Sequence, residues 1–163
     1  MADNFERHFH QRLWSQWALS PWHCWFQTQP EWLNLFIEVA GRIPAPEMNR
    51  LLQPSRPLIV LPPVEYGRVI RIDATLIGGA SIMQLNQSLL LRPRIEALAL
   101  IAHELAHLIV PPTGDVLKDD LNADWHAARW GFSEGLMAAL QKDAPANHPR
   151  ISQMIQFLEK SAS

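Results

Sequence analysis

The run Arg92-Pro-Arg-Ile-Glu-Ala-Leu-Ala-Leu-Ile-Ala-His-Glu-Leu-Ala-His-Leu-Ile-Val110 constrains the chain more than any other stretch. Leu98, Ile101, Ala102, Leu105 and Ile109 recur at helical spacing and predict one apolar face. Pro93 suits a first-turn position, where no backbone donor is needed. Pro111-Pro112 stops the helix just after Val110. On this helix lies His103-Glu104-Leu105-Ala106-His107, an H-E-x-x-H motif. Histidines four apart share one helix face. Their imidazoles can therefore converge on one Zn²⁺ at roughly 2.0–2.1 Å. Glu104 stands beside the first histidine, placed to polarise the attacking water and act as general base. A buried helix with two incidental histidines has the same periodicity. The motif outweighs that reading because it fixes three positions of the required chemistry within one suitable helix. It speaks for a metal site more directly than for turnover.

At 163 residues the chain is long enough for a real core, and one compact domain is expected. A net charge of −2 gives no basic surplus, so no nucleic-acid partner is expected. Cys24 is the single cysteine, which excludes an intrachain disulfide and a zinc-ribbon spacing. The first residues carry no apolar segment of signal-peptide type. Ile95–Val110 is too short to span a bilayer and contains His and Glu. The expectation is a soluble, cytoplasmic protein without a transmembrane segment.

Within that domain three parts are expected: a helical Trp-rich subdomain over 1–43, a Pro-rich connector over 44–63, and a catalytic core over 64–163. Phe5, Phe9, Leu13 and Trp17 predict a helix over 3–19, broken at Ser20-Pro21. Pro30 opens a second helix that Gly41 can end. Five of the seven tryptophans fall in 14–32, where core packing is the simpler reading and a docking surface for a protein partner the alternative. His23-Cys24 has no further ligands clustered nearby. Six prolines between 44 and 63 predict an extended connector with one helical turn at Glu47–Gln53. Strands are predicted at Leu58–Leu61, Arg68–Ile72 and Ser81–Leu85, with a turn at Gly78-Gly79. An open edge at Ser81, Ile82 and Met83 would bind an extended peptide by backbone pairing. After a loop over Pro111–Asp119, helices are predicted over Asp120–Gly131, from a Ser133 cap to about Lys142, and from Asn147 onward. Ile151, Met154, Ile155 and Leu158 form the apolar face of the last.

A catalytic zinc needs a third protein ligand and an open position. Asp120 and Asp124 are four apart and share a helix face. Asp119 and His126 form a competing face, and Asp115 lies in the predicted loop. Asp120 is the first candidate, and Asp124 is the alternative ligand or a supporting carboxylate.

The run Gly78–Leu90 followed by Ile95–His107 resembles the core of the HtpX and CAAX prenyl protease family of zinc peptidases, in which a strand precedes the zinc helix. A later helix there carries E-x-x-A-D, the Glu being the third ligand and the Asp a supporting residue. Asp120-Leu-Asn-Ala-Asp124 matches that spacing with Asp in place of Glu. His148-Pro149-Arg150-Ile151 is similar to the family's H-P segment with its following Arg. The likeness covers roughly residues 78–158 and lacks the family's membrane-spanning segments. The soluble ImmA-like peptidases, with H-E-x-x-H followed by E-x-x-A, are the nearest rival. The resemblance implies an α+β, zincin-like fold with a small three-stranded sheet against the zinc helix and a ligand-bearing helix beside it. It also implies His148 near the metal, as a hydrogen-bonding catalytic group. Arg150 joins His148 as a candidate oxyanion partner. The expected activity is zinc-dependent hydrolysis of a protein or peptide substrate. The alternative is a zincin-like binding or regulatory module acting through protein–protein contact.

Overall fold

The computed structural model of the protein describes residues 17, 19–53, 57–65, 68–72 and 80–161. The chain divides after Leu91 into two compact units, Met1–Leu91 and Arg92–Ser163. It is mostly helical with one small mixed sheet, an α+β arrangement.

In the first unit a 3₁₀ segment, Pro21–Gln27, is followed by α1, Pro30–Ala40, and α2, Ala45–Leu51. A proline stands in the first turn of each, where its missing donor is harmless. The α2 helix is the helical turn expected at Glu47–Gln53 within the Pro-rich stretch, and it starts two residues earlier. Nearly all of the helix predicted over 3–19 lies outside the described residues, as do Trp14 and the Gly78-Gly79 turn. The three predicted strands form as β1, Leu58–Val64, β2, Arg68–Ile72, and β3, Ala80–Asn86. Their order is β1-β3-β2, with β1 parallel and β2 antiparallel to β3. Ser81 is opposite Leu58 on one side and Arg71 on the other; Ile82 and Met83 are likewise flanked twice. The strand expected to offer a free edge is therefore central. Backbone pairing of a peptide to Ser81, Ile82 and Met83 is ruled out, because both their edges are taken.

The outer edge of β1 is closed by side chains. The Trp17 indole N–H donates to the Leu58 carbonyl, and that of Trp25 to the Val60 carbonyl, both at 2.9 Å. The Val60 N–H donates to His23 Nε2 at 3.0 Å. Unpaired strand edges invite association, and here three consecutive polar groups of the edge are satisfied internally. Because His23 Nε2 accepts, its proton sits on Nδ1 and is donated toward the Trp17 carbonyl, 2.9 Å away. Burial pushes the imidazole's pKa down, against the smaller opposing effect of that carbonyl. Trp32 is fully buried, as are Phe26, Phe36 and Val60. Packing thus accounts for the tryptophans at 17, 25 and 32.

The second unit begins at α3, Arg94–Ile109, just after Pro93 and ending ahead of Pro111-Pro112. The next helix, α4, Val116–Ala127, starts earlier than predicted. Asp115 caps it, accepting the Lys118 N–H at 3.2 Å. A π-helical turn, Ala128–Phe132, contains Gly131 at φ 89°, which an L side chain disfavours. It leads into α5, Ser133–Asp143, which starts at Ser133 without the predicted side-chain cap. In α6, Pro149–Ser161, Ile151 and Met154 are buried while Ile155 is 45% exposed, so the apolar face is narrower than predicted. The α5 helix packs on α3 so closely at Gly135 that a Cβ there would run into the Ile95 carbonyl and lie 2.9 Å from the Ala99 Cβ. Among the described residues no helix is long and apolar enough to cross a membrane.

Candidate metal centre

Helices α3 and α4 pack against each other, and two residues one turn apart on each meet in antiparallel register. His103 Nδ1 lies 2.8 Å from Asp124 Oδ1, and His107 Nε2 lies 3.3 Å from Asp120 Oδ1. The two His Nε2 atoms face each other at 3.0 Å. One donor atom from each of His103, His107 and Asp120 lies within 4.8 Å of the other two, and this is the metal-competent group among the described residues. His103 is buried; His107 and Asp120 are half-buried.

The donor set fits a small divalent cation. Two imidazole nitrogens bound tetrahedrally at roughly 2.05 Å stand about 3.3 Å apart, close to the separation here. Asp124, with no exposed surface, fixes the His103 tautomer. Its carboxylate accepts the hydrogen bond from Nδ1–H and leaves the Nε2 lone pair facing His107, as buried carboxylates do behind metal-binding histidines. The 3.5 Å approach of Arg150 Nη2 to the same Nδ1 is then a contact between donors, not a bond.

Arg150 in α6 holds this carboxylate pair. Its Nε donates to Asp124 Oδ2 at 2.6 Å, its Nη2 to Asp124 Oδ1 at 2.8 Å, and its Nη1 to Asp120 Oδ2 at 3.3 Å. Burial alone would raise the Asp124 pKa. The hydrogen bonds from His103 and Arg150 overcome that and hold it below the usual carboxylate range. Asp120 is held low chiefly by its hydrogen bond from His107, with Arg150's charge assisting against burial. The two Asp120 oxygens serve different partners, Oδ1 facing His107 and Oδ2 facing Arg150.

Glu104 is half-buried and makes no hydrogen bond or ion pair with the described residues. Burial would lower the Arg150 pKa, but Asp124 and then Asp120 raise it, and the Glu104 charge adds to them from within electrostatic reach. His148 accepts the Arg150 backbone N–H at Nδ1, 3.3 Å away, which leaves the proton on Nε2. The remaining candidates are occupied elsewhere. Asp119 accepts from the Thr113 Oγ1 and N–H, at 2.7 and 2.8 Å, and these bonds hold its pKa down. Asp115 is a helix cap, and the His126 ring packs edge-on to Trp125. His23 has both ring nitrogens committed to the first unit, and Cys24 is exposed.

The structure brings together His103, His107, Asp120 and Asp124, the four residues that sequence spacing singles out. Arg150, expected at the oxyanion, has a different place: three of its nitrogens already donate to the two aspartates. The signal for that role is Asp124 itself, since a carboxylate on a buried helix face requires a cation or several donors. No protein-family model matches the chain, and no curated protein or solved structure matches it either.

Proposed function

We propose that this chain is a zincin-like, zinc-dependent peptidase acting on protein or peptide substrates in the cytoplasm. The observation that carries the reading is the convergence of His103 Nε2, His107 Nε2 and the Asp120 carboxylate, with Glu104 on the same helix. Asp120-Leu-Asn-Ala-Asp124 and His148-Pro149-Arg150 add the likeness to HtpX-type peptidases. When bound, zinc would supply a Lewis acid for the scissile carbonyl and the attacking water. His103, His107 and Asp120 would hold it, with Asp124 and Arg150 fixing the poses of His103 and Asp120. Glu104 takes a proton from the water as its oxygen bonds to the carbonyl carbon. It returns that proton to the nitrogen that leaves when the C–N bond breaks. His148 offers its Nε2–H to the carbonyl oxygen as charge develops there.

The test is elemental analysis together with cleavage of a quenched-peptide library. About one zinc per chain is expected in the wild type. A large loss is expected in folded Asp120→Ala, with the fold verified by circular dichroism. Glu104→Gln should keep its zinc and lose cleavage. No zinc in the wild type after reloading refutes the metal site. Full zinc with no Glu104-dependent cleavage refutes the peptidase and leaves the binding module.

A further inference from the structure

A cavity of about 310 Å³ opens beside the candidate metal centre, within the second unit. Asp120, His148 and Arg150 form its polar end. Its walls are apolar: Leu100 from α3, and Leu136, Ala139 and Leu140 from α5. Leu100 precedes His103 and Glu104 by one helical turn, so the apolar wall continues from the face that carries the motif.

The lining selects by charge as well as by shape. Arg150 is already paired with Asp120 and Asp124, to which three of its nitrogens donate. Asp143 at the rim is paired with Arg92 at 2.6 Å. Each of these charges already has a partner, and burying an unpaired charge against leucine and alanine is costly. The Nε2–H of His148 has no acceptor among the described residues and suits a neutral carbonyl. In volume the cavity exceeds the roughly 150 Å³ that accommodates a benzene ring, and it lies at the small end of ligand pockets. One branched aliphatic or aromatic side chain fits it.

We infer that this cavity is the specificity pocket of the site, receiving an uncharged aliphatic or aromatic side chain of the substrate residue beside the scissile bond. The inference rests on the peptidase reading for its place in catalysis, while the pocket's binding preference can be tested apart from it.

The first measurement is methyl NMR of the full chain, without added zinc, titrated with N-acetyl-leucinamide, N-acetyl-glycinamide and N-acetyl-lysinamide. The leucine compound should shift the Leu100, Leu136 and Leu140 methyls saturably, and the other two should not. Ala144→Phe, which fills the half-buried mouth, should abolish those shifts. Absence of saturable shifts at these methyls, or equal shifts with the lysine compound, overturns the pocket. The second measurement compares acetohydroxamate with 4-methylpentanohydroxamate on zinc-loaded protein. Burying the added carbons should tighten binding at least about ten-fold, and Ala144→Phe should remove that gain while leaving acetohydroxamate unchanged. Equal affinities for the two hydroxamates overturn the link between pocket and metal. If zinc does not load, the peptidase reading fails by itself, and the methyl shifts still decide the pocket.

Discussion

Replacing Arg150 by methionine tests the electrostatic logic of the site without any metal. Asp124 has no exposed surface and takes two of its three hydrogen bonds from Arg150, at 2.6 and 2.8 Å. The Arg150 side chain is itself only 16% exposed, so solvent screens the pair weakly. Removing one partner of a buried pair costs about 3–5 kcal/mol, since it leaves an uncompensated charge. His103 still donates to Asp124 at 2.8 Å, which places the expected loss at the lower end, about 3 kcal/mol. For a chain of this size that is roughly 6–12 °C in Tm. Asp124→Asn removes the stranded charge, so the double variant should recover about 1–3 kcal/mol relative to the sum of the single changes. Urea unfolding followed by far-ultraviolet circular dichroism measures all four corners of the cycle. The sign with pH is also fixed. Asp120 and Asp124 have lowered pKa values in the fold, so their contribution is present above the unfolded value near 3.9. It is lost as pH falls through the folded values, and the gap between wild type and Arg150→Met should close there. A loss under about 1 kcal/mol, or strict additivity in the cycle, refutes the account.

His23 is neutral and buried with a lowered pKa, so its contribution is full above about pH 6.5 and declines as pH falls toward the folded value. Urea midpoints between pH 8 and 5.5 should show that decline in wild type, and His23→Gln should lack it. Gly135→Ala should destabilise by about 1–3 kcal/mol, because α5 must move off the Ile95 carbonyl; calorimetry reads the loss. Ala123→Leu enlarges a fully buried position of α4 and should weaken zinc binding in a chelator competition more than it lowers Tm, by displacing Asp120 from His107.

What is legible in the sequence depends on how local the cause is. The α3 helix announces itself through apolar periodicity and the prolines at both ends, so local rules alone place His103, Glu104 and His107. The start of α4 is harder to read because Thr113-Gly114-Asp115 looks like loop, yet Asp115 is the cap that starts the helix. The position of β3 in its sheet is not legible. Three strand-like segments do not state their order, and pairing is decided by partners far apart in sequence. His23 shows the same limit. No neighbour in sequence explains its burial, and only the return of Val60, 37 residues later, gives its ring nitrogen a backbone partner. Arg150 lies 26 residues from Asp124, and no spacing rule joins them.

The short carboxylate at position 120 follows from the same packing. An aspartate reaches one methylene less far than a glutamate, so α4 must approach α3 closely for Asp120 to serve His107. Both helices are built for that. Around the histidines α3 buries Ala102 and Ala106, and around the aspartates α4 buries Ala123 and Ala127. Helix separation follows the size of the side chains at the contact, and alanine permits the near end of the range. The result is a 3.3 Å approach of Asp120 to His107 together with a 2.8 Å approach of Asp124 to His103. A longer acid at 120 would need either a folded rotamer or a wider helix pair, and a wider pair would pull Asp124 away from His103. Asp at 120, alanine in both helices and Arg150 behind the two acids therefore form one solution, in which the spacing that suits the ligand also suits the residue that orients its neighbour.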